Sequence, residues 1–147
     1  TKEVRVVPTC SMPEALAALV SYDPEASAES NARSMAAVAE SVATGEITQA
    51  VRDTHTDAGQ VTSGDWIGIV RGDGIVAIAG TLVTAASQLL DHLIDEEREL
   101  LTIITGADAT VAHTDQIVAW VSQNRPDVAV EIHGGGQPLY PYLFGVE

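Results

Sequence analysis

Two carboxylates and an imidazole share one short polar stretch, Asp53-Thr54-His55-Thr56-Asp57. These are the groups of general acid–base chemistry and of metal ligation. Asp53, His55 and Asp57 therefore form a candidate functional loop, set against the plainer reading of a solvated turn. Their spacing matches no standard metal motif. A second grouping runs through Asp91-His92 and Asp95-Glu96-Glu97-Arg98-Glu99, at the end of an apolar-periodic segment. Acid at a helix C-terminus opposes the helix dipole, so the run gains nothing locally. Asp91, Asp95, Glu96 and Glu97 read either as a solvated face or as an acidic contact strip for a partner.

Gly134-Gly135-Gly136 follows an apolar-alternating segment, as a phosphate loop does. A phosphate loop must then open a helix whose N-terminus faces the anion. Here Gln137-Pro138-Leu139-Tyr140-Pro141 follows, and two prolines so close forbid that helix. The glycines are expected to serve a tight backbone turn. His113 and His133 lack ligand-spaced companions, and Arg71-Gly72-Asp73 is ordinary turn chemistry. Cys10 is the only cysteine and is expected to pack as a small, at least half-buried residue. The residues alone thus yield no catalytic, cofactor or metal set.

Positioning these groups requires an α/β chain. At 147 residues there is enough for one domain with a sizeable core. Ser11 and Glu14 form a capping-box pattern, predicting a helix to about Ser21 that buries Leu16, Leu19 and Val20. A second helix carries Ala32, Met35, Ala36, Ala39, Val42 and Ala43 on one stripe, with Gly45 as its stop. Weak alternation over Ile47 to Val51 suggests a strand, and Asp53 to Ser63 a loop turning at Ala58-Gly59. Trp66–Val70 and Ile75–Ile78 read as an antiparallel hairpin around Gly72-Asp73-Gly74. Leu82, Ala85, Ala86, Leu89, Leu90, Leu93 and Ile94 make the cleanest amphipathic stripe. Leu100–Ile104 is a buried-strand run. A helix burying Val111, Ile117, Val118, Trp120 and Val121 ends at Pro126, and strands near Val128–Ile132 and Tyr142–Val146 follow. The fold class is α/β, a mixed sheet with packed helices.

Val4, Val6 and Val7 read as a strand close to the first residue, which suggests a cut made upstream of it within a longer protein. The chain carries 21 acidic against 7 basic residues, a net charge of −14. That excludes nucleic-acid backbones and anionic membrane surfaces as natural partners. No stretch has the length of a membrane span, and a single cysteine fits a reducing, cytoplasmic setting.

Gly135-Gly136-Gln137-Pro138-Leu139-Tyr140-Pro141-Tyr142, closing on Val146-Glu147, resembles the C-terminal signature of the fatty acid kinase A-type proteins. These form a branch of the dihydroxyacetone kinase-like (Dak phosphatase) group. Val6-Val7-Pro8-Thr9, Pro13 to Leu19, Ala50 to Thr54, Gly64 to Ile69 and Ile94-Asp95-Glu96 match the same family in order, so the resemblance spans the chain. It implies that residues 1–147 are a non-catalytic, DegV-like C-terminal module of a longer multidomain bacterial kinase. In that family an N-terminal domain carries Mg-ATP on an aspartate cluster, which has no counterpart here. The module is thought to dock a separate carrier protein, whose bound fatty acid is phosphorylated for phospholipid synthesis. The resemblance further implies contact with the kinase domain of the same polypeptide. The Val4 strand would then belong to an upstream α/β subdomain, its open edge favouring a homodimer. Direct fatty acid binding, and a glycerone kinase- or phosphatase-type enzyme, are the alternative functions.

Overall fold

The computed structural model describes residues 2–147. Its elements, in order, are α1 (Met12–Val20), α2 (Ala28–Ser41), β1 (Ala43–Gln49), β2 (Thr54–Thr56) and β3 (Gly59–Val61). These are followed by β4 (Trp66–Val70), β5 (Gly74–Ala79), α3 (Leu82–Leu93), β6 (Leu100–Thr105), α4 (Val111–Asn124), β7 (Ala129–Gly134) and β8 (Tyr142–Val146). Six strands form one mixed sheet in the order β5-β4-β1-β8-β6-β7. Only β6 and β7 run parallel. That pair is joined through α4, the crossover that parallel neighbours require.

Helix α3 forms because its apolar residues fall on one stripe and Thr81 caps its N-terminus by accepting the Thr84 amide. Leu82, Ala85, Ala86, Leu89, Leu90 and Leu93 are all buried, as their spacing predicts. They meet Ile47 of β1, Leu101 and Ile103 of β6, and Tyr142, Phe144 and Val146 of β8 in one core. Ile117 and Val121 of α4 join the same cluster, so α3 and α4 cover one face of the sheet.

Helix α1 lies on the opposite face. Ser11 caps it by accepting the Glu14 amide. The closest approach is at Gly145 of β8, where an added Cβ would sit 2.5 Å from Cβ of Pro13. A small-residue contact thus seats α1, and it buries Pro13, Glu14 and Ala18. This corrects the expected buried face: Leu16, Leu19 and Val20 are 40%, 62% and 88% exposed. They point away because the contact with Gly145 turns the other side of the helix inward.

Other expectations are corrected as well. Residues 4–7 form no strand, and Val4 and Val6 are exposed. Gly45 is not a helix stop but an interior β1 residue, where an added Cβ would lie 2.8 Å from Leu93 Cδ1. The helix before it already ends at Ser41. The 53–63 stretch holds the small β2–β3 hairpin instead of an irregular loop. Val111 is exposed at the start of α4, and Cys10 is exposed.

Glu14 ties the segment before α1 to the rest of the molecule. Its side chain is 3% exposed. Its carboxylate accepts the Cys10 amide at 2.7 Å and Nη1 of Arg71 at 2.8 Å. Burial opposes ionisation of Glu14, but the Cys10 amide and the Arg71 guanidinium outweigh it and hold the carboxyl below its usual range. Glu46 on β1 behaves oppositely, its carboxyl being raised by burial. These shifts set opposite pH slopes. A raised carboxyl pKa makes the folded state gain stability as pH falls toward the ordinary value of 4.5. A depressed one makes it lose stability as pH falls below 4.5 through the folded value. Urea midpoints are expected to rise modestly from pH 7 toward pH ~5, then fall in more acid solution. Glu46→Gln should flatten the rise. Glu14→Ala should abolish much of the acid-side loss and cost about 1.5–3 kcal/mol at pH 7.

Candidate functional site

The face of the sheet that carries α1 is only partly covered. Helix α1 packs on α2 and on β8. Beyond β8, the outer strands β6 and β7 have no helix over them on this side. Leu100, Thr102 and Ile104 of β6, with Glu131 and His133 of β7, form the floor of a groove of about 800 Å3. Met12, Leu16, Leu19 and Val20 of α1 form its wall. The side chains left exposed on α1 are therefore those that line this groove. Parallel strands are ordinarily buried on both faces. Here the only parallel pair in the sheet is packed on one face, and five of the six β7 residues are exposed.

The groove has an acidic end. The Glu99 and Leu100 amides donate to the Glu147 carbonyl at 2.8 and 3.0 Å, which brings the 95–99 turn beside Glu147 and Leu100. Arg98, the one cation in that turn, is folded inward: its Nη1 donates to the carbonyls of Ser41 and Val146. Its charge is thus directed at the backbone, leaving Glu96, Glu97, Glu99 and Glu147 to set the sign of the surface. On the floor, His133 Nε2 lies 3.5 Å from Glu131 Oε2.

A smaller cavity of about 260 Å3 lies under the α1 N-terminus, lined by Cys10, Ser11, Thr44, Glu46 and Arg71 among others. Its guanidinium is already engaged by Glu14.

The sequence-derived candidates fall in three places. Asp53 precedes β2, and its Oδ1 accepts the Ser63 amide at 2.7 Å, closing the base of the hairpin. His55 sits within β2 opposite Gln60, and Asp57 lies in the hairpin turn. Among the described residues, no group of three or more His, Cys, Asp or Glu side chains is placed to hold a metal ion. Asp91 pairs with Arg125 at 2.6 Å, tying α3 to the end of α4. Asp95 Oδ1 accepts the Glu97 amide, and its other oxygen lies 3.6 Å from Arg98. Glu96 and Glu97 are exposed.

The Gly134–Gly136 turn proves to be a clasp. The Gly135 and Gly136 amides both donate to the Thr105 carbonyl, so they point at the backbone and not at an anion. Gln137 continues it, its Nε2 donating to the carbonyls of Ile104 and Tyr140. The sequence did not predict the groove. Its only sign was an excess of large apolar residues on α1, more than one packed face could use.

Among the described residues, no helix is long and apolar enough to cross a membrane. The FakA-like C-terminal family model, which describes the C-terminal region of the A-type component of fatty acid kinase, matches residues 1–147. An uncharacterized protein of Staphylococcus aureus (strain bovine RF122 / ET3-1) is 40% identical over 145 residues, 99% of this chain and 26% of the relative. An uncharacterized protein of Staphylococcus haemolyticus (strain JCSC1435) is 43% identical over 142 residues, 97% of this chain and 26% of the relative. The chain therefore spans about a quarter of the length of the curated relatives it matches.

Proposed function

Because this chain belongs to the FakA-like C-terminal family of fatty acid kinases, we propose that it is the docking module of such a kinase. In this reading it binds the separate protein that carries the fatty acid. It thereby brings the acyl carboxylate to a Mg-ATP-bearing domain elsewhere in the kinase polypeptide. The observation that carries the proposal is the exposed apolar wall of Met12, Leu16, Leu19 and Val20, standing over a face of β6 and β7 that no helix covers. A surface of this kind is what a protein partner buries. The acidic turn at 95–97 supplies charge that steers a basic partner, whereas Asp91 is spent on Arg125 on the far side of the sheet.

Direct capture of a fatty acid draws less support from the same groove. A carboxylate head group would meet Glu131 on the floor and Glu147 at one end, and like charges repel. An open groove also buries less of a long chain than a ligand pocket does.

Titration of this chain against the fatty-acid-loaded carrier by calorimetry tests the reading. Association is expected with a Kd on the order of tens of micromolar or tighter. It should weaken as salt rises, because the steering charges are screened. No heat of binding at that concentration would sink the docking reading.

A further inference from the structure

We propose that the groove between α1 and the β6–β7 floor seats one amphipathic helix of a partner protein, with a short apolar stripe flanked by Lys or Arg. This rests on the docking reading above and adds the chemistry of the element that docks. Three observations carry it. The first is the missing layer. A sheet face is completed by a helix or a second sheet, and α4 already packs with β6 and with Val130 of β7 on their other face. The second is shape. The groove is bounded by the side of a helix and the face of a sheet, so a helix lying beside α1 would touch both. With a helix diameter of about 10 Å, the ~800 Å3 groove accommodates roughly two turns. Two turns present three or four apolar side chains at i, i+3, i+4 and i+7, enough to meet Leu16, Leu19 and Val20.

The third observation is charge. Glu131 lies on the floor and Glu147 at one end, beside the exposed carboxylates of Glu96 and Glu97. Arg98 is turned into the backbone, and His133 is set against Glu131. A helix with acidic flanks would be repelled here. One with basic flanks would pair with Glu131 and the acidic end while its stripe packed on the apolar side of α1 and on Leu100.

The test uses three fluorescent 18-residue peptides and the intact 147-residue chain. One has a leucine stripe flanked by lysines, one the same stripe flanked by glutamates, and one the lysine composition scrambled to remove the stripe. Anisotropy should show the leucine–lysine peptide binding at least about tenfold more tightly than either other peptide. Leu19→Glu should weaken that binding about tenfold or more. Glu131→Lys should weaken it about three- to tenfold, whereas Asp115→Lys, the same charge change on α4, should leave it nearly unchanged. Leu19 is 62% exposed, so its replacement leaves the core intact, and a melting curve checks this. Amide shifts in the 15N spectrum should concentrate at Leu16, Leu19, Thr102 and Ile104. Equal binding of the scrambled peptide, or indifference to Leu19→Glu, would overturn the proposal. The carrier titration would still stand on its own result, since carrier binding that survives Leu19→Glu places docking on another face.

Discussion

Phe144→Ala is expected to cost about 3–5 kcal/mol, a lowering of Tm by roughly 6–20 °C for a domain of this size. Phe144 is fully buried on β8. It pairs with Gly45 of β1 on one side and with Ile103 of β6 on the other. Its ring lies 6.1 Å from that of Tyr142 with an interplanar angle of 6°. The loss therefore combines transfer of a large ring, an unfilled space beneath α3 and α4, and a broken aromatic pair. Tyr142 would remain anchored by its hydroxyl, which donates to the Thr110 carbonyl at 3.1 Å. Phe144→Leu should recover more than half of the loss, because it restores most of the volume. Urea unfolding followed by tryptophan fluorescence measures both. A cost under about 1 kcal/mol for the alanine variant would mean that the space collapses, contrary to the packing described.

Gly106→Ala is expected to destabilise by about 1–3 kcal/mol or more, a large effect for one added methyl. The Gly106 amide donates to the Pro141 carbonyl at 2.8 Å as the 137–141 segment passes over it. A Cβ here would run into the Tyr140 carbonyl oxygen and lie 2.7 Å from that of Gln137. Both obstacles are backbone, so no side-chain rotation relieves them. Gly80→Ala is the control, since nothing lies within 4 Å of its added Cβ. That change should be neutral or stabilising by a few tenths of a kcal/mol. The pair of variants separates a steric requirement at Gly106 from the general entropic effect of replacing glycine. Because the clasp positions β8, Gly106→Ala should also raise amide exchange across Tyr142–Val146. Equal stabilities for the two variants would show that the 137–141 segment shifts freely.

The most legible parts of this chain were those in which one physical rule decided the outcome. The α3 stripe was read correctly because six large or small apolar residues at helical spacing can be buried together in only one way. The β4–β5 hairpin was legible because Gly72 and Gly74 adopt the positive φ that its turn needs. Helix α1 was found, but its packed side was not. Side-chain size pointed to Leu16, Leu19 and Val20, whereas its seat is decided by Gly145, more than a hundred residues later. No local pattern encodes that meeting. For the same reason the burial of Glu14 was missed. Ser11 and Glu14 spelled a reciprocal cap, yet the Glu14 carboxylate went instead to the Cys10 amide and to distant Arg71. The groove was illegible because it arises where covering is absent, and spacing rules speak only of what packs.

The 134–141 stretch gives a related lesson about motif reading. Excluding a phosphate loop was sound, since Gly135 and Gly136 spend their amides on Thr105. The reason for so many special residues became visible only with Gly106 opposite them. Leu139 adopts φ 70°, the one non-glycine residue at positive φ among those described. Its carbonyl accepts the Thr48 hydroxyl at 2.8 Å, which ties the clasp to β1 as well as to β6.

The place of β8 carries a consequence for how the molecule is made. β8 lies between β1 and β6, in the middle of the sheet, although it comes last of the strands in sequence. As the chain leaves the ribosome, β1, β4 and β5 can assemble by neighbouring antiparallel contacts, and β6, α4 and β7 can assemble as a separate unit. Neither half touches the other through backbone hydrogen bonds until Tyr142 to Val146 has emerged and slid between them. Two open strand edges therefore wait during synthesis, and the pairing that closes the β1 edge joins Ala43 to Val146. Closure of that kind is slow, and it leaves the nascent halves exposed to wrong partners until Tyr142 to Val146 appears.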